Sequence, residues 1–169
     1  MKKIIEYVLI LSKTFPATHQ RKGEPTEFRL ALKNTLDFWR YDLAPADMVF
    51  CKLHTIRANY LLWKKRFEKI ERGEACLSIR QWEGKPRHSK TIEIARLTKE
   101  DGIGLQKLEF ETDAICPLYH PIIDGKPRCE AETLAANDGL CFVDWQCWFD
   151  QYDLSQPMAI IHFSKFRYQ

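Results

Sequence analysis

Apolar and polar positions alternate in two different periods along this chain, and the changes of period mark its elements. Residues 4 to 12, beginning Ile4-Ile5-Glu6-Tyr7-Val8-Leu9-Ile10-Leu11, form an apolar run broken by one carboxylate and read as a buried first strand. A polar loop from Lys13 to Pro25 follows. Thr26 is placed to cap a helix on which Phe28, Leu32, Leu36 and Trp39 recur at spacings of four, four and three, giving one apolar face that ends near Trp39. Tyr41 to Asp47, with Pro45, reads as a connection, and Asn59 as the cap of a helix from Tyr60 to Arg72 stopped by Gly73.

The period then changes. Ala75 to Glu83 and His88 to Lys99 are rich in β-branched and alternating residues, and Gly84-Lys85-Pro86-Arg87 between them is a turn signal, so a long hairpin is expected. Leu105 to Glu111 reads as another strand. Thr112 to Arg128 reads as irregular, with prolines at 117, 121 and 127; loops this long in compact domains are often functional. Glu130 to Asp138 is expected to be helical with Gly139 as its stop. A second helix from Phe142 to Tyr152 buries Phe142, Trp145, Trp148 and Phe149, and Met158 to Phe166 reads as an alternating closing strand. This order suits one α+β domain over residues 1–169 with a mainly antiparallel sheet, which a small fold frees of edges by closing into a barrel or pseudobarrel.

Composition narrows the function. With 26 basic and 23 acidic residues the formal net charge is only +3, so any anion site has to be a local patch. Met1-Lys2-Lys3 before an apolar run looks like a secretion signal, but Glu6 interrupts it and no small-x-small cleavage site follows. No other apolar run nears the ~20 residues of a membrane span. A cytosolic protein is expected, hence six cysteines without a disulfide framework, most of them buried as small hydrophobes. Cys116, His120 and Cys129 could supply soft ligands, but their spacing fits no common zinc site, and neither metal nor cofactor is expected.

The densest chemistry lies in Lys52-Leu53-His54-Thr55-Ile56-Arg57, which gathers an amine, an imidazole, a hydroxyl and a guanidinium. A threonine hydroxyl is a weak nucleophile unless a neighbouring base takes its proton, and an amine can do so when burial lowers its pKa. Lys52 and Thr55 are the candidate pair. Residues three apart point to opposite faces of a straight strand, so convergence needs a bulge, or Lys52 in the loop ahead of the strand. Thr55 and Arg57 share a face, where the guanidinium can stabilise an oxyanion or orient a base edge. His54 falls with Ile56 on the other face and reads as a supporting residue. An ordinary amphipathic strand with solvated charges has the same spacing.

The pattern Lys-x-x-Thr-Ile-Arg resembles the signature of ASCH domains, in the PUA-like superfamily, in the form found in the acetylcytidine amidohydrolase-type branch. Similar features are scattered over most of the chain: Phe15-Pro16, His19, Gly23, Thr26 and Phe28, then Asn59, Tyr60 and Trp63, then Ser78-Ile79-Arg80-Gln81-Trp82. The resemblance implies a PUA-like β-pseudobarrel with flanking helices, and RNA or a modified nucleoside as partner. It also implies hydrolysis of an acyl group on a cytosine amine by Lys52, Thr55 and a distant carboxylate. In Leu134-Ala135-Ala136-Asn137-Asp138-Gly139-Leu140, Asp138 takes the position of that family's glutamate, with Glu132 as the alternative, and Cys51 stands where the family has glycine.

Two basic clusters remain. Arg80, Trp82, Lys85 and Arg87, with His88 and Lys90, interleave an indole with cations as in phosphate contact plus base stacking, and equally as in a solvated turn. His19-Gln20-Arg21-Lys22-Gly23 is either a second contact beside the signature, as the resemblance suggests, or an exposed loop. Tyr60 and Trp63 are candidates to cap a base or to pack the core. The rival to an enzyme is a binding module using the same cleft. The number of subunits stays open.

Overall fold

A computed structural model describes residues 3–41, 50–111, 113 and 115–169. Among the described residues seven strands and four α-helices follow in the order β1 (Ile5–Ile10), α1 (Phe28–Tyr41), β2 (His54–Arg57), α2 (Tyr60–Glu71), β3 (Ala75–Trp82), β4 (Thr91–Leu97), β5 (Gly104–Phe110), β6 (Pro121–Ile123), α3 (Ala131–Asn137), α4 (Phe142–Phe149) and β7 (Met158–His162). The class is α+β with mostly antiparallel pairing. The strands form two sheets, β1-β3-β4 and β2-β7-β5-β6; the β1–β3 pair is parallel. The connection between Tyr41 and Asp47 lies outside the described residues apart from the backbone of Tyr41.

The two sheets share one core. Leu9, Leu11, Leu77, Ile79 and Leu97 come from the first sheet and Ile56, Leu108, Ile160 and Ile161 from the second, with Trp63, Phe67 and Ile70 of α2 and Trp145 and Phe149 of α4 packed against them. β7 lies between β2 and β5 and is buried at all five positions, which is why it shows no alternation.

Several expectations shift. The first strand is an edge strand whose inner face holds Leu9, while Ile4, Ile5 and Val8 are exposed. The buried stripe of α1 is Phe28, Ala31, Leu32 and Thr35, so Trp39, a full turn past it, sits in solvent. Thr26 does receive the N–H of Phe28, at 3.4 Å, but Glu27 intervenes with a left-handed backbone. On α4, Trp145 and Phe149 are buried while Phe142 and Trp148 are half-buried. The closing strand stops at His162, and residues 163–169 continue without strand pairing, with Phe163 and Tyr168 in the core and Arg167 donating to the carbonyls of Ser164, Phe166 and Gly102. Inside the irregular stretch, Pro121–Ile123 pairs with Leu108–Phe110, a strand too short to show a period and at a sheet edge where proline is tolerated.

Of the six free cysteines only Cys76 is buried. Among the described residues no three His, Cys, Asp or Glu side chains gather as metal ligands, and no helix is long and apolar enough to cross a membrane.

Candidate functional site

Local hydrogen bonding explains how Lys52 and Thr55 come to share a site despite their spacing. Lys52 precedes β2, and its N–H donates to the Ala31 carbonyl (3.2 Å) and to Thr35 Oγ1 (3.0 Å). Leu53 N–H then donates to the Asn137 carbonyl at 2.8 Å, and the Leu53 carbonyl accepts Phe163 N–H at 3.0 Å. Helix α1 thus fixes the amine's residue and the end of α3 fixes the next one, so the bend falls before the strand.

The amine is buried, at 1% exposure, against a carboxylate at 4%. Lys52 Nζ donates to Asp138 Oδ1 at 2.6 Å and also to the Asp138 carbonyl, and the Phe28 ring covers it with its centroid 3.9 Å away. Asp138 caps α3 because Gly139, at φ +82°, turns the chain left-handed there. A Cβ on Gly139 would lie 3.4 Å from Lys52 Cβ, an ordinary contact, so it is the left-handed backbone that calls for glycine here. Glu132 is in the first turn of α3, away from this end of the helix.

Burial dominates the protonation of the pair. It pushes Lys52 below its ordinary value, against the attraction of Asp138, and Arg57 lowers it further. It pushes the Asp138 carboxyl up, against Lys52 and Arg57. The two groups titrate as a unit in which burial opposes both charges and their mutual attraction opposes burial. The buried Trp145 ring N–H also bears on the Asp138 carboxyl without completing a hydrogen bond of good geometry.

Arg57 sits half-buried at the far end of β2 and donates to the carbonyls of Ile10 (2.6 Å) and Ile56 (3.2 Å). It stays within electrostatic reach of Asp138 and Tyr152. Thr55, two residues back, shares its strand face. Thr55 is buried, at 3% exposure, and no side-chain hydrogen bond joins it to a described residue. No hydrogen bond joins Lys52 to Thr55. A cavity of about 770 Å³ opens one residue past Arg57, walled by Ala58, Tyr60, Lys64, Lys107 and Tyr152.

Comparison with protein-family models, curated proteins and solved structures finds no match. The site therefore rests on its own geometry.

The other sequence candidates separate. His19 is buried: Nε2 lies 3.0 Å from the Asp144 carbonyl oxygen and Nδ1 accepts Arg21 N–H, while Arg21 pairs with Asp144 at 2.6 Å. The basic loop is therefore pinned to α4, and an aromatic path from His19 through Trp148 to Phe28 leads from it to Lys52. Arg80 is held by Glu6, Glu93 and Ser78 on the outer face of the first sheet. Trp82 is half-buried at the end of β3, and Lys85 and Arg87 are exposed at the turn, where Arg87 has φ +65°. Trp63 belongs to the core.

Sequence reasoning passed over three residues beneath the site. His54 Nε2 lies 2.8 Å from Tyr168 Oη, which also receives Asn137 Nδ2 at 2.9 Å, and His162 packs beside both rings. Tyr168 and His162 stand outside any motif, and Asn137 read only as a helix end.

Proposed function

We propose that this chain is a PUA-like protein of ASCH type that hydrolyses an acyl group from a modified cytosine, with RNA or a modified nucleoside as its partner in a cytosolic setting. The observation that carries this reading is the buried Lys52–Asp138 pair, in which desolvation lowers the amine's pKa from its ordinary value, the direction a general base requires. An exposed lysine kept only for phosphate contact needs no such burial. Two mostly antiparallel sheets sharing one core are compatible with the pseudobarrel this reading calls for.

In this mechanism Thr55 Oγ attacks the acyl carbon as Lys52 Nζ takes the hydroxyl proton, and Arg57 stabilises the oxyanion. The intermediate collapses, the C–N bond breaks and Lys52 returns the proton to the leaving cytosine amine. Water then attacks the threonine ester, Lys52 accepts one of its protons and passes it to Thr55 Oγ, and the acid is released. Asp138 orients Lys52 throughout. Ligand arrival must turn the amine from the Asp138 carbonyl towards Thr55, a tightening common between free and substrate-bound sites. The cavity past Arg57 receives the rest of the nucleoside. Purified protein is expected to release cytidine from acetylcytidine, with kcat/KM falling by at least about a hundredfold in Lys52→Ala and in Thr55→Ala. Folded wild-type protein without turnover would refute the reading.

A second reading, an RNA-binding module without turnover, is favoured by one feature: both hydrogen-bond partners of Lys52 Nζ are on Asp138 and none on Thr55. The same cleft then holds RNA without turnover, and exposed Lys85 and Arg87 of the hairpin add contacts. RNA affinity should fall steeply with salt, and Lys85→Ala or Arg87→Ala should each reduce the logarithmic slope by about one. Titrations with unchanged slope would remove the hairpin from the interface.

A further inference from the structure

We propose that Tyr168 is a positioning residue for the Lys52–Asp138 pair, holding apart at a fixed distance the two backbone segments that carry it. This rests on the reading of that pair as the working centre, but its geometry is independent of which ligand is bound.

The two residues tied by the phenol are immediate neighbours of the site. Asn137 precedes Asp138, while His54 lies between Leu53 and Thr55. Apart from Tyr168, the two segments are joined by the Leu53 N–H bond to the Asn137 carbonyl and by the Lys52–Asp138 contacts themselves. Tyr168 Oη adds a bridge on the opposite side, 2.9 Å from Asn137 Nδ2 and 2.8 Å from His54 Nε2. An amide nitrogen only donates, so the phenol accepts from Asn137. A phenol oxygen can accept a second bond, so the position of the proton between it and His54 is part of the proposal: it lies on the phenol and points to Nε2. The imidazole is then neutral with its proton on Nδ1, a buried nitrogen without a partner, and burial holds its pKa well below the ordinary range.

The segment after β7 is built to hold the phenol there. Tyr168 N–H donates to Gln106 Oε1 at 2.9 Å, and Gln106 Nε2 donates to the Tyr168 carbonyl at 3.1 Å and to Asp124 Oδ2 at 2.9 Å. The Arg167 guanidinium occupies the space a side chain at position 104 would need, since a Cβ on Gly104 would sit 1.7 Å from Arg167 Nη2. A glycine, a glutamine and an arginine thus lock the backbone on either side of one ring. Losing the hydroxyl leaves the buried His54 Nε2 without a partner and frees the half-buried Asn137 Nδ2, and the cheapest relief is separation of the two segments with entry of water.

The test compares wild type with Tyr168→Phe, which keeps the ring, and with Gln106→Ala, which loosens the backbone clamp and keeps the phenol. Lys52 is followed through its side-chain NMR titration. The groups facing it are Asp138 from the end of α3, Arg57 and His54 from β2 and the Phe28 ring from α1; Tyr168 itself also faces Cys129. Water reaching the amine relieves desolvation, so its midpoint should rise by about one unit or more in both variants. In wild type, His54 should show the Nδ1–H tautomer by nitrogen NMR. On acetylcytidine, kcat should fall by about tenfold with little change in KM, because Tyr168 touches the positioning segments and not the ligand. A lower Tm with an unmoved Lys52 midpoint would make Tyr168 merely structural and overturn the proposal, as would an Nε2–H tautomer in wild type. Absence of turnover in wild type would count against the amidohydrolase reading alone, since the Lys52 midpoint and the tautomer are read without substrate.

Discussion

Asp138→Ala is expected to destabilise the protein by about 3–5 kcal/mol at neutral pH, while Lys52→Met combined with Asp138→Leu loses much less. Both partners are almost fully buried, and the amine's hydrogen-bond partners both belong to Asp138. Removing the carboxylate leaves an ammonium under the Phe28 ring with Arg57 as its nearest charge, and that repulsion is unscreened by water. Replacing both groups removes the uncompensated ion. The pH dependence identifies the cause. The folded-state pKa of Lys52 lies below the unfolded value, so between the two the unfolded chain binds more protons and stability rises with pH. The Asp138→Ala penalty should therefore shrink as pH is raised, when the buried amine can lose its proton. Urea denaturation of the three proteins at several pH values measures this. A single variant within about 0.5 kcal/mol of wild type would mean that water already reaches the pair.

The parts of this centre differ in how far the sequence reveals them. Lys52, Thr55 and Arg57 stand in six residues, so their chemistry is visible without any fold, and Thr55 and Arg57 share a face because a strand repeats every two residues. That Lys52 joins them depends on the bonds of residues 52 and 53 to α1 and to the end of α3, contacts made across 21 and 84 residues that no local pattern encodes. Asp138 is placed at the end of a helix by the Ala131–Asn137 pattern and Gly139, but its pairing with Lys52 is a product of packing. Hairpin cations show the opposite failure. Arg80, Lys85 and Arg87 look alike in sequence, yet the register of β3 with β1 and β4 delivers Arg80 to Glu6 and Glu93 and leaves the other two in solvent. His19 reads as part of an exposed basic cluster because its burial comes from Asp144, 125 residues on. Helices α1, α2 and α4 and strand β5 are legible because each buries a periodic face, β3 and β7 because they are continuous apolar or β-branched runs; β6, with three residues and a proline, carries too little pattern.

Acid is expected to unfold this protein through its buried histidines before most of its carboxylates matter. His162 is fully buried with neither ring nitrogen hydrogen-bonded, and burial together with Arg167 depresses it from 6.5 to about 3. His54, ringed by His162, Lys52 and Tyr168, is depressed as well. The unfolded chain takes up these protons as pH falls through about 6.5, whereas the folded chain refuses them until far lower, so the stability they contribute is complete above pH 6.5 and lost below it. For His162 alone the loss is about 2.5 kcal/mol by pH ~4.5 and on the order of 4 kcal/mol near pH 3. The carboxylates held low, Glu6, Glu93 and Asp144, lose their contribution only below their ordinary values of about 4, so the upper window belongs to histidine. Asp138 works in the opposite sense, because a raised carboxyl pKa makes folding more favourable as pH falls. His162→Leu puts an apolar group of similar size where no hydrogen bond is lost, and the difference between its pH–stability curve and that of wild type isolates the imidazole. The curves should run parallel above about pH 6.5 and diverge below it in favour of the variant. Parallel curves down to about pH 4.5 would show that His162 accepts its proton inside the fold, with water or a moved side chain receiving it.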